Sequence, residues 1–332
     1  MKKNDKPNHV SRFYFHNMNA ELTKRMADGS LPTPSTDDPI VRPPEALFTF
    51  AAFGDPQVSN YMFAREACFY ATCRDFKSMP EPLDALIIAG DIAENGMRCE
   101  YRMVAQILNE VSDKIRHVVL MPGNHDIRLR GFLAQQFKFR GFVKSVTNGV
   151  PPERGKYWFA CDFDACRFLV MGSDTASFEG AHISHRQLKW LETELADAEK
   201  QNKPVFVMNH QPLKKTNGLP GAWQGVGSWR GSVGNQSKAL RGVLSSHKNV
   251  FFLTGHLHQG VCQASFEDYG SYKCLNLPTV GANNHGSYNE LSQGYVISVF
   301  RDRVEMRARL FGKGEYVPEE IPNAFISVPL DK

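Results

Sequence analysis

The chain has 332 residues, 42% of them hydrophobic and 22% charged, an ordinary balance for a soluble globular protein with a substantial core. With 39 Lys+Arg against 35 Asp+Glu the net charge is +4, too mild to argue for nucleic acid or a membrane as partner. No apolar run reaches the roughly 20 residues of a membrane span. The first residues, MKKNDKPNHVSRFYF, carry no apolar segment behind their basic side chains and so do not read as a secretory signal. The seven cysteines are odd in number, scattered among apolar neighbours and without zinc-knuckle spacing, which argues against a disulfide framework. The expectation is a cytoplasmic protein with reduced thiols and no membrane partner.

Residues 1–45 are polar and end in a Pro-rich run, an arm lying on the surface or partly disordered. The core begins with the apolar strand Leu47–Phe53, which breaks at Gly54-Asp55-Pro56-Gln57; a helix is expected from about Ser59 to Phe76. Strand Asp84–Ala89 stops at Gly90-Asp91, and Tyr101, Val104, Ala105 and Leu108 then fall at helical spacing. Strand Val118–Met121 stops at Pro122-Gly123-Asn124-His125-Asp126. Three consecutive strands thus end in a Gly beside a metal-capable side chain. Two short strands are expected between Tyr157 and Gly172, and helix Ser184–Lys200 opens on the Ser-x-x-Gln spacing of a capping box. Strand Pro204–Met208 runs into Asn209-His210, followed by a long irregular loop, Lys214–Asn235, and a short helix near Gln236–His247. The apolar run from Phe251 stops at Gly255, with His256 and His258 beyond it. On an extended chain those two rings would share one face roughly 6.6 Å apart, too far for one tetrahedral ion but suited to two ions, one histidine each. Taken alone, the same spacing also describes a solvated turn. Strands continue to about Leu310, and residues 313–332 read as a tail, so that one domain spans 46–312.

Collected, the strand ends carry Asp55, Gln57, Asp91, Asn124, His125, Asp126, His210, His256 and His258. Polar groups at the carboxyl ends of adjacent strands in an α/β sheet converge on one crevice. Carboxylate, amide and imidazole together suit Mn, Fe, Zn or Ni. Two such cations would lower the pKa of a water between them and neutralise the oxygens of a phosphoryl group.

This ordered series, GDPQ, GD, GNHD, NH and GHLH, resembles the calcineurin-like metallophosphoesterase superfamily, whose pattern is D-x-H, G-D, G-N-H-D/E, H, G-H-x-H. The match covers about Phe48 to Phe311. The resemblance implies an α/β fold, a four-layer α/β/β/α sandwich of two mixed sheets flanked by helices. It further implies two divalent or trivalent metal ions, Mn, Fe or Zn. Asp55 and His258 would hold the first ion and Asp91 would bridge to a second completed by Asn124, His210 and His256. His125 would act as general acid on the leaving group, by in-line attack of a hydroxide between the metals, with Asp126 behind it fixing its tautomer. The chain departs from the pattern at Gln57, where the family usually has His; a Gln carbonyl can ligate, but it is neutral and a poorer donor.

Two further segments, GDIAENGMRCEY and SDTASFEGAHISHRQLKWLETEL, resemble cyclic-nucleotide-phosphodiesterase-like members. The expected function is a phosphoric ester hydrolase, a phosphodiesterase acting on a small nucleotide-like or other soluble phosphoester. The alternatives are a phosphomonoesterase (phosphoprotein phosphatases included), a metal-binding scaffold that has lost catalysis, and a nuclease. Asn95, Arg128 and Arg130, and the loop residues Lys214, Lys215, Trp223, Trp229 and Arg230, read equally as substrate contacts or as ordinary turn and surface residues. Oligomeric state is not legible.

Overall fold

The computed structural model describes residues 33–223, 225, 231–281, 290 and 292–331. Residues 1–32 of the expected arm, together with Trp229, Arg230 and His285, lie outside the described residues. In chain order the elements are β1 (Phe48–Phe53), α1 (Phe63–Asp75), β2 (Ala85–Ala89), α2 (Arg98–Asn109), β3 (Val118–Met121), the single turn α3 (Asn124–Ile127) and α4 (Phe132–Ser145). There follow β4 (Phe159–Asp162), β5 (Arg167–Val170), α5 (His185–Lys200), β6 (Val205–Met208), α6 (Ser237–Ser245) and β7 (Val250–Thr254). The chain closes with β8 (Phe266–Asp268), β9 (Tyr272–Asn276), β10 (Gln293–Val299), β11 (Arg303–Leu310), β12 (Glu315–Tyr316) and β13 (Phe325–Pro329).

Two mixed sheets result. One runs β12-β11-β10-β1-β2-β3, with β13 also pairing β11; the other runs β4-β5-β6-β7-β9-β8. The site-bearing strands are parallel within each sheet: β1 with β2 and β2 with β3, and β6 with β7. Their carboxyl ends therefore point the same way, which is what brings the motif residues together. These strands are buried on both faces and so read as unbroken apolar runs. Along β1, Phe50 and Ala52 face the second sheet while Ala51 and Phe53 face helices. The layer between the sheets is aromatic at its centre. Phe50 meets Phe168 and Phe206 edge-on at 5.0 Å, and Phe206 stacks on Phe251 at 5.2 Å. Helices α1, α2 and α4 pack on the first sheet's outer face and α5 and α6 on the second's, giving the expected four layers.

The stretch 313–332, expected as a tail, instead supplies β12 and β13. Ile326 and Val328 alternate inward into the core between the sheets, while Phe325, Ser327 and Pro329 face out. Burial of those two side chains is what holds the segment down. The Pro-rich stretch is also fixed: Arg42 pairs with Asp84 at 2.8 Å, and Ser35 N donates to Lys313 O. Helix α1 starts at Phe63, four residues later than expected. At α5, Ser184 Oγ accepts from Gln187 N, but the Gln187 side chain turns to Gly172 and Asp174 rather than completing the box.

Two buried ionisable groups anchor α1. Asp75 and Arg309 are fully buried and doubly bonded, at 2.5 and 2.8 Å, tying α1 to β11; burial still raises the Asp75 pKa, with Arg309 pulling against it. Glu66 is buried, and neither carboxyl oxygen has a hydrogen-bond partner among the described residues. Burial, with Glu100 nearby adding to it, pushes its pKa to about 9. The unfolded group ionises near 4.5. Between those values the folded state keeps a proton that the unfolded state has released, so this group makes stability fall as pH rises. Glu66→Gln is therefore expected to stabilise the protein by on the order of 2 kcal/mol at pH 8 and by little near pH 5, measured by urea unfolding at both pH values. An equal difference at the two would show that Glu66 is not held protonated.

Candidate metal centre

Eight of the nine strand-end residues singled out in the sequence present their side chains to one crevice where the two sheets' carboxyl ends face each other; Asp126 is the exception. The chain must turn sharply at each strand end to aim side chains back across the crevice. Asp55, Gln57, Asp91, His256 and His258 accordingly all sit at positive φ, between +42° and +74°. Non-glycine residues rarely adopt that conformation, which costs of order 1–3 kcal/mol each where it is strained and clusters at functional sites. His256 and His258 are therefore not on an extended chain, and the separation expected from strand geometry does not apply. Close approach demands glycine as well: a Cβ on Gly123 would lie 2.1 Å from Asp91 Oδ1, and one on Gly90 would lie 2.5 Å from His210 Nδ1.

The side chains form two donor groups that share one member. Asp91, His210 and His256 present ligand atoms within 4.8 Å of one another, and so do Asp55, Asp91 and His258. His210 Nδ1 lies 2.7 Å from Ala89 O and donates to it, which directs Nε2 into the crevice, 3.2 Å from Asp91 Oδ2 and 3.7 Å from Asp55 Oδ1. His256 Nδ1 is 3.2 Å from His210 Nε2, and His258 Nε2 is 3.3 Å from Asp55 Oδ1. Asp55 accepts from His256 N, and Asp91 Oδ1 accepts from His125 N at 2.8 Å. Gln57 reaches Asp91 with Nε2 at 3.5 Å, leaving its carbonyl oxygen buried and without a hydrogen bond. Asn124 Oδ1 faces Gln211 Nε2 at 3.4 Å, and its amide donates to Phe178 O.

Electrostatics balance on Asp91. Burial alone would raise its pKa, but His210, His125 and His256 hold the carboxyl well below the usual range. His210 is pushed the other way, to about 9: burial opposes its charge, and Asp91 and Asp55 outweigh burial. His256 is driven well below the ordinary histidine value by burial and by the neighbouring His210. The donor set fits divalent metal ions. Two carboxylates and three imidazoles converge, and two buried polar atoms beside them, Gln57 Oε1 and His256 Nε2, have no hydrogen-bond partner among the described residues.

Asp126 does not do what was expected of it. Its carboxylate accepts from Gly123 N, Ile92 N and Ala93 N, at 2.9–3.1 Å, and from the Tyr101 hydroxyl at 3.1 Å. The reason is local geometry: as the third residue of α3 its side chain turns back to the amides before that turn, away from His125. It is a staple between the loops after β2 and β3. Burial, with Asp91 adding to it, raises its pKa to about 7 against those amide bonds. His125 instead has Glu94 O at 2.8 Å and the Arg128 guanidinium at 2.9 Å from Nδ1. Its Nε2 faces the crevice, 3.8 Å from Asp91 Oδ2.

The crevice opens to a cleft of about 300 Å³ lined by Asp91, Asn124, His125, His256 and His258, and also by Glu179 and Trp223. Trp223 stacks on His256 at 4.6 Å, so this loop aromatic lies on the site. Glu179 faces Arg128 at 3.8 Å and lies 3.4 Å from the Asn124 amide. No spacing marked Glu179; only its place within the second family-like segment offered a signal. Asn95 bonds Glu100 and does not line the cleft.

A family model described as calcineurin-like phosphoesterase matches residues 48–260. The chain belongs to that family. Among the curated relatives of this calcineurin-like phosphoesterase, glycerophosphodiester phosphodiesterase GpdQ of Enterobacter lignolyticus is 28% identical over 40% of this chain and 44% of its own. The 3',5'-cyclic adenosine monophosphate phosphodiesterase CpdA of Escherichia coli is 25% identical over 65% of this chain and 74% of its own. The chain spans about half the length of the first two curated relatives it matches, 44% and 51%. A dimetal phosphatase from Danio rerio superposes with a TM-score of 0.60 at 16% identity, over 86% of this chain and all of that one. A purple acid phosphatase from yellow lupin does so with a TM-score of 0.57 at 14% identity, over 85% of this chain and 53% of that one. At such identities these two show the fold, and it is the fold expected from the motifs.

If an ion binds at His210, its binding is coupled to a proton. With the His210 pKa at about 9, Nε2 carries a proton at neutral pH that an ion taking this nitrogen would displace. Titrating the metal-free protein with Mn at pH 7.5 is expected to release about one proton per molecule, read by calorimetry in two buffers of different protonation enthalpy. Identical heats in both buffers would mean that His210 is neutral before the metal arrives.

Proposed function

We propose that the chain is a dinuclear metal-dependent phosphoric ester hydrolase that prefers diesters. The observation that carries this reading is the sharing of Asp91 between two donor groups, since a carboxylate common to both is what a two-metal site requires. Asp55, Gln57 and His258 would hold one ion with Asp91; Asn124, His210 and His256 would hold the other. The pair would supply a strong nucleophile at neutral pH and neutralise charge on the phosphoryl oxygens. The names of the curated relatives, phosphodiesterases of glycerophosphodiesters and cyclic nucleotides, support a small diester as substrate.

The chain's own residues account for the rest. His210 is locked by the Ala89 carbonyl and presents one nitrogen only. His125 is positioned by its backbone bond to Asp91. The acid form carries a proton on both ring nitrogens: Nδ1–H would donate to Glu94 O, which requires the donor-only Arg128 guanidinium, 2.9 Å from Nδ1, to turn aside, and Nε2–H would face the cleft, ready for the leaving-group oxygen. The Glu94 carbonyl thus does the orienting that the sequence assigned to Asp126. Gln57, with its unbonded carbonyl, is the weakest donor of its set, which favours Mn at that position over Zn.

Metal analysis followed by rates on a phosphomonoester, a linear phosphodiester and a cyclic nucleotide with Mn added tests the function. Turnover of a diester at least ten times faster than of the monoester is expected; two bound metals with no turnover of any would favour a scaffold. His125→Ala is expected to keep both metals and to lose about 10²–10⁴-fold in kcat on alkyl diesters, with much less loss on p-nitrophenyl esters. Equal losses on good and poor leaving groups would sink the general-acid role. Gln57→His is expected to tighten Zn binding about tenfold or more at one of the two sites, measured by competition with a chelating dye; unchanged affinity would place Gln57 outside the ligand set.

A further inference from the structure

We infer that the outer face of α2 and α4 is a docking surface for an anionic phospholipid bilayer. Helix α4 carries an apolar stripe on its solvent side. Leu133 and Phe137, one turn apart, are 65% and 53% exposed, and Leu129, in the turn just before the helix, is 52% exposed. A Cβ on Gly141, the next position of the stripe, would meet nothing within 4 Å. A surface helix ordinarily keeps its apolar residues toward the core and its polar ones outward; this one places large apolar side chains on both sides.

The charge around the stripe has one sign. From Ile127 to Pro152 the sequence has five Lys and Arg and no Asp or Glu. Beside the stripe, a groove of about 300 Å³ between α2 and α4 is lined by Arg98, Arg102 and Lys138 over an apolar floor of Tyr101, Phe137 and Phe142. Tyr101 and Phe142 stack at 4.5 Å to form that floor. Arg98, Arg102 and Arg130 are exposed, and none has an ion pair among the described residues. Lys138 feels the concentration of charge: burial, and then Arg130 and Arg98, lower its pKa. The carboxylates nearby in sequence are engaged elsewhere. Glu100 is buried against the amides of Asn95 and Met97, Glu94 pairs with Arg65, and Glu153 pairs with Lys156.

A ridge of Leu and Phe flanked by unpaired arginines has the chemistry of an interfacial helix: apolar side chains enter the acyl boundary while the cations meet anionic headgroups. The groove between the helices would seat a headgroup phosphate against Arg98 and Arg102. The mild net charge of the whole chain hides this local excess, which is why the sequence reading expected no membrane partner. The absence, among the described residues, of a helix able to cross a membrane has no bearing on binding at its surface. The inference does not depend on the proposed catalytic activity.

The test is sedimentation of the full-length, metal-loaded protein with vesicles of pure phosphatidylcholine and with vesicles containing 30% phosphatidylglycerol, in parallel with Leu133→Ser/Phe137→Ser and Arg98→Gln/Arg102→Gln. Binding to the anionic vesicles alone is expected, weakened roughly tenfold or more by either double substitution and by raised salt, with turnover of a soluble phosphoester unchanged. Failure to bind the anionic vesicles would overturn the inference. So would binding that survives both double substitutions and is lost when residues 1–32 are deleted, which would assign it to the basic N-terminal segment. Equal binding to soluble polyglutamate, or a dimer in solution that Leu133→Ser/Phe137→Ser dissociates, would assign the face to a protein partner instead.

Discussion

A carboxylate sealed from water has to find its compensation within the protein, and Asp91 finds it from every side. The His125 amide bonds one oxygen and the His210 ring approaches the other, while Gln57 reaches in from the first strand's end. Those partners come from the loops after β1, β3 and β6, while Asp91 itself follows β2, so the two sheets must be correctly placed against each other for the charge to be tolerated at all. The site and the fold are in this sense one constraint. Asp91 is balanced by a proton held on His210; bound cations would take over that role.

The same demand explains the backbone. Five site residues hold positive φ, and Gly90 and Gly123 leave room where no side chain fits. Such strain persists only where the surroundings over-determine it. Here the surroundings are the buried parallel strands and the aromatic layer between the sheets, which fix the strand ends to which each loop is attached. Remote ties, such as the Asp75–Arg309 pair holding α1 to β11, stabilise that frame without touching the crevice.

Much of this was legible in the chain. Strands buried on both faces appear as continuous apolar runs; a Gly beside a metal-capable residue closes β1, β2, β3 and β7, and Asn209-His210 closes β6, so the order of these motifs, with the family resemblance they carry, pointed to residues that the fold brings together. What escaped depended on three-dimensional detail. The family resemblance placed Asp126 behind His125, whereas a one-turn helix sends their side chains apart. Glu179 and Trp223 reach the cleft from irregular loops that carry no period. The edge strand at Phe325–Pro329 has a period-two pattern, but it is five residues long and lies near the chain's end, where it resembles a tail. The exposed stripe on α4 was masked by its helical spacing, which predicts an apolar face without saying which way it points.

Anomalous diffraction from crystals grown with Mn tests the shared carboxylate most directly. The account predicts two peaks about 3.5–4 Å apart, with Asp91 ligating both, Asp55, Gln57 and His258 on one, and Asn124, His210 and His256 on the other. A single peak, or two peaks of which Asp91 touches only one, would contradict it.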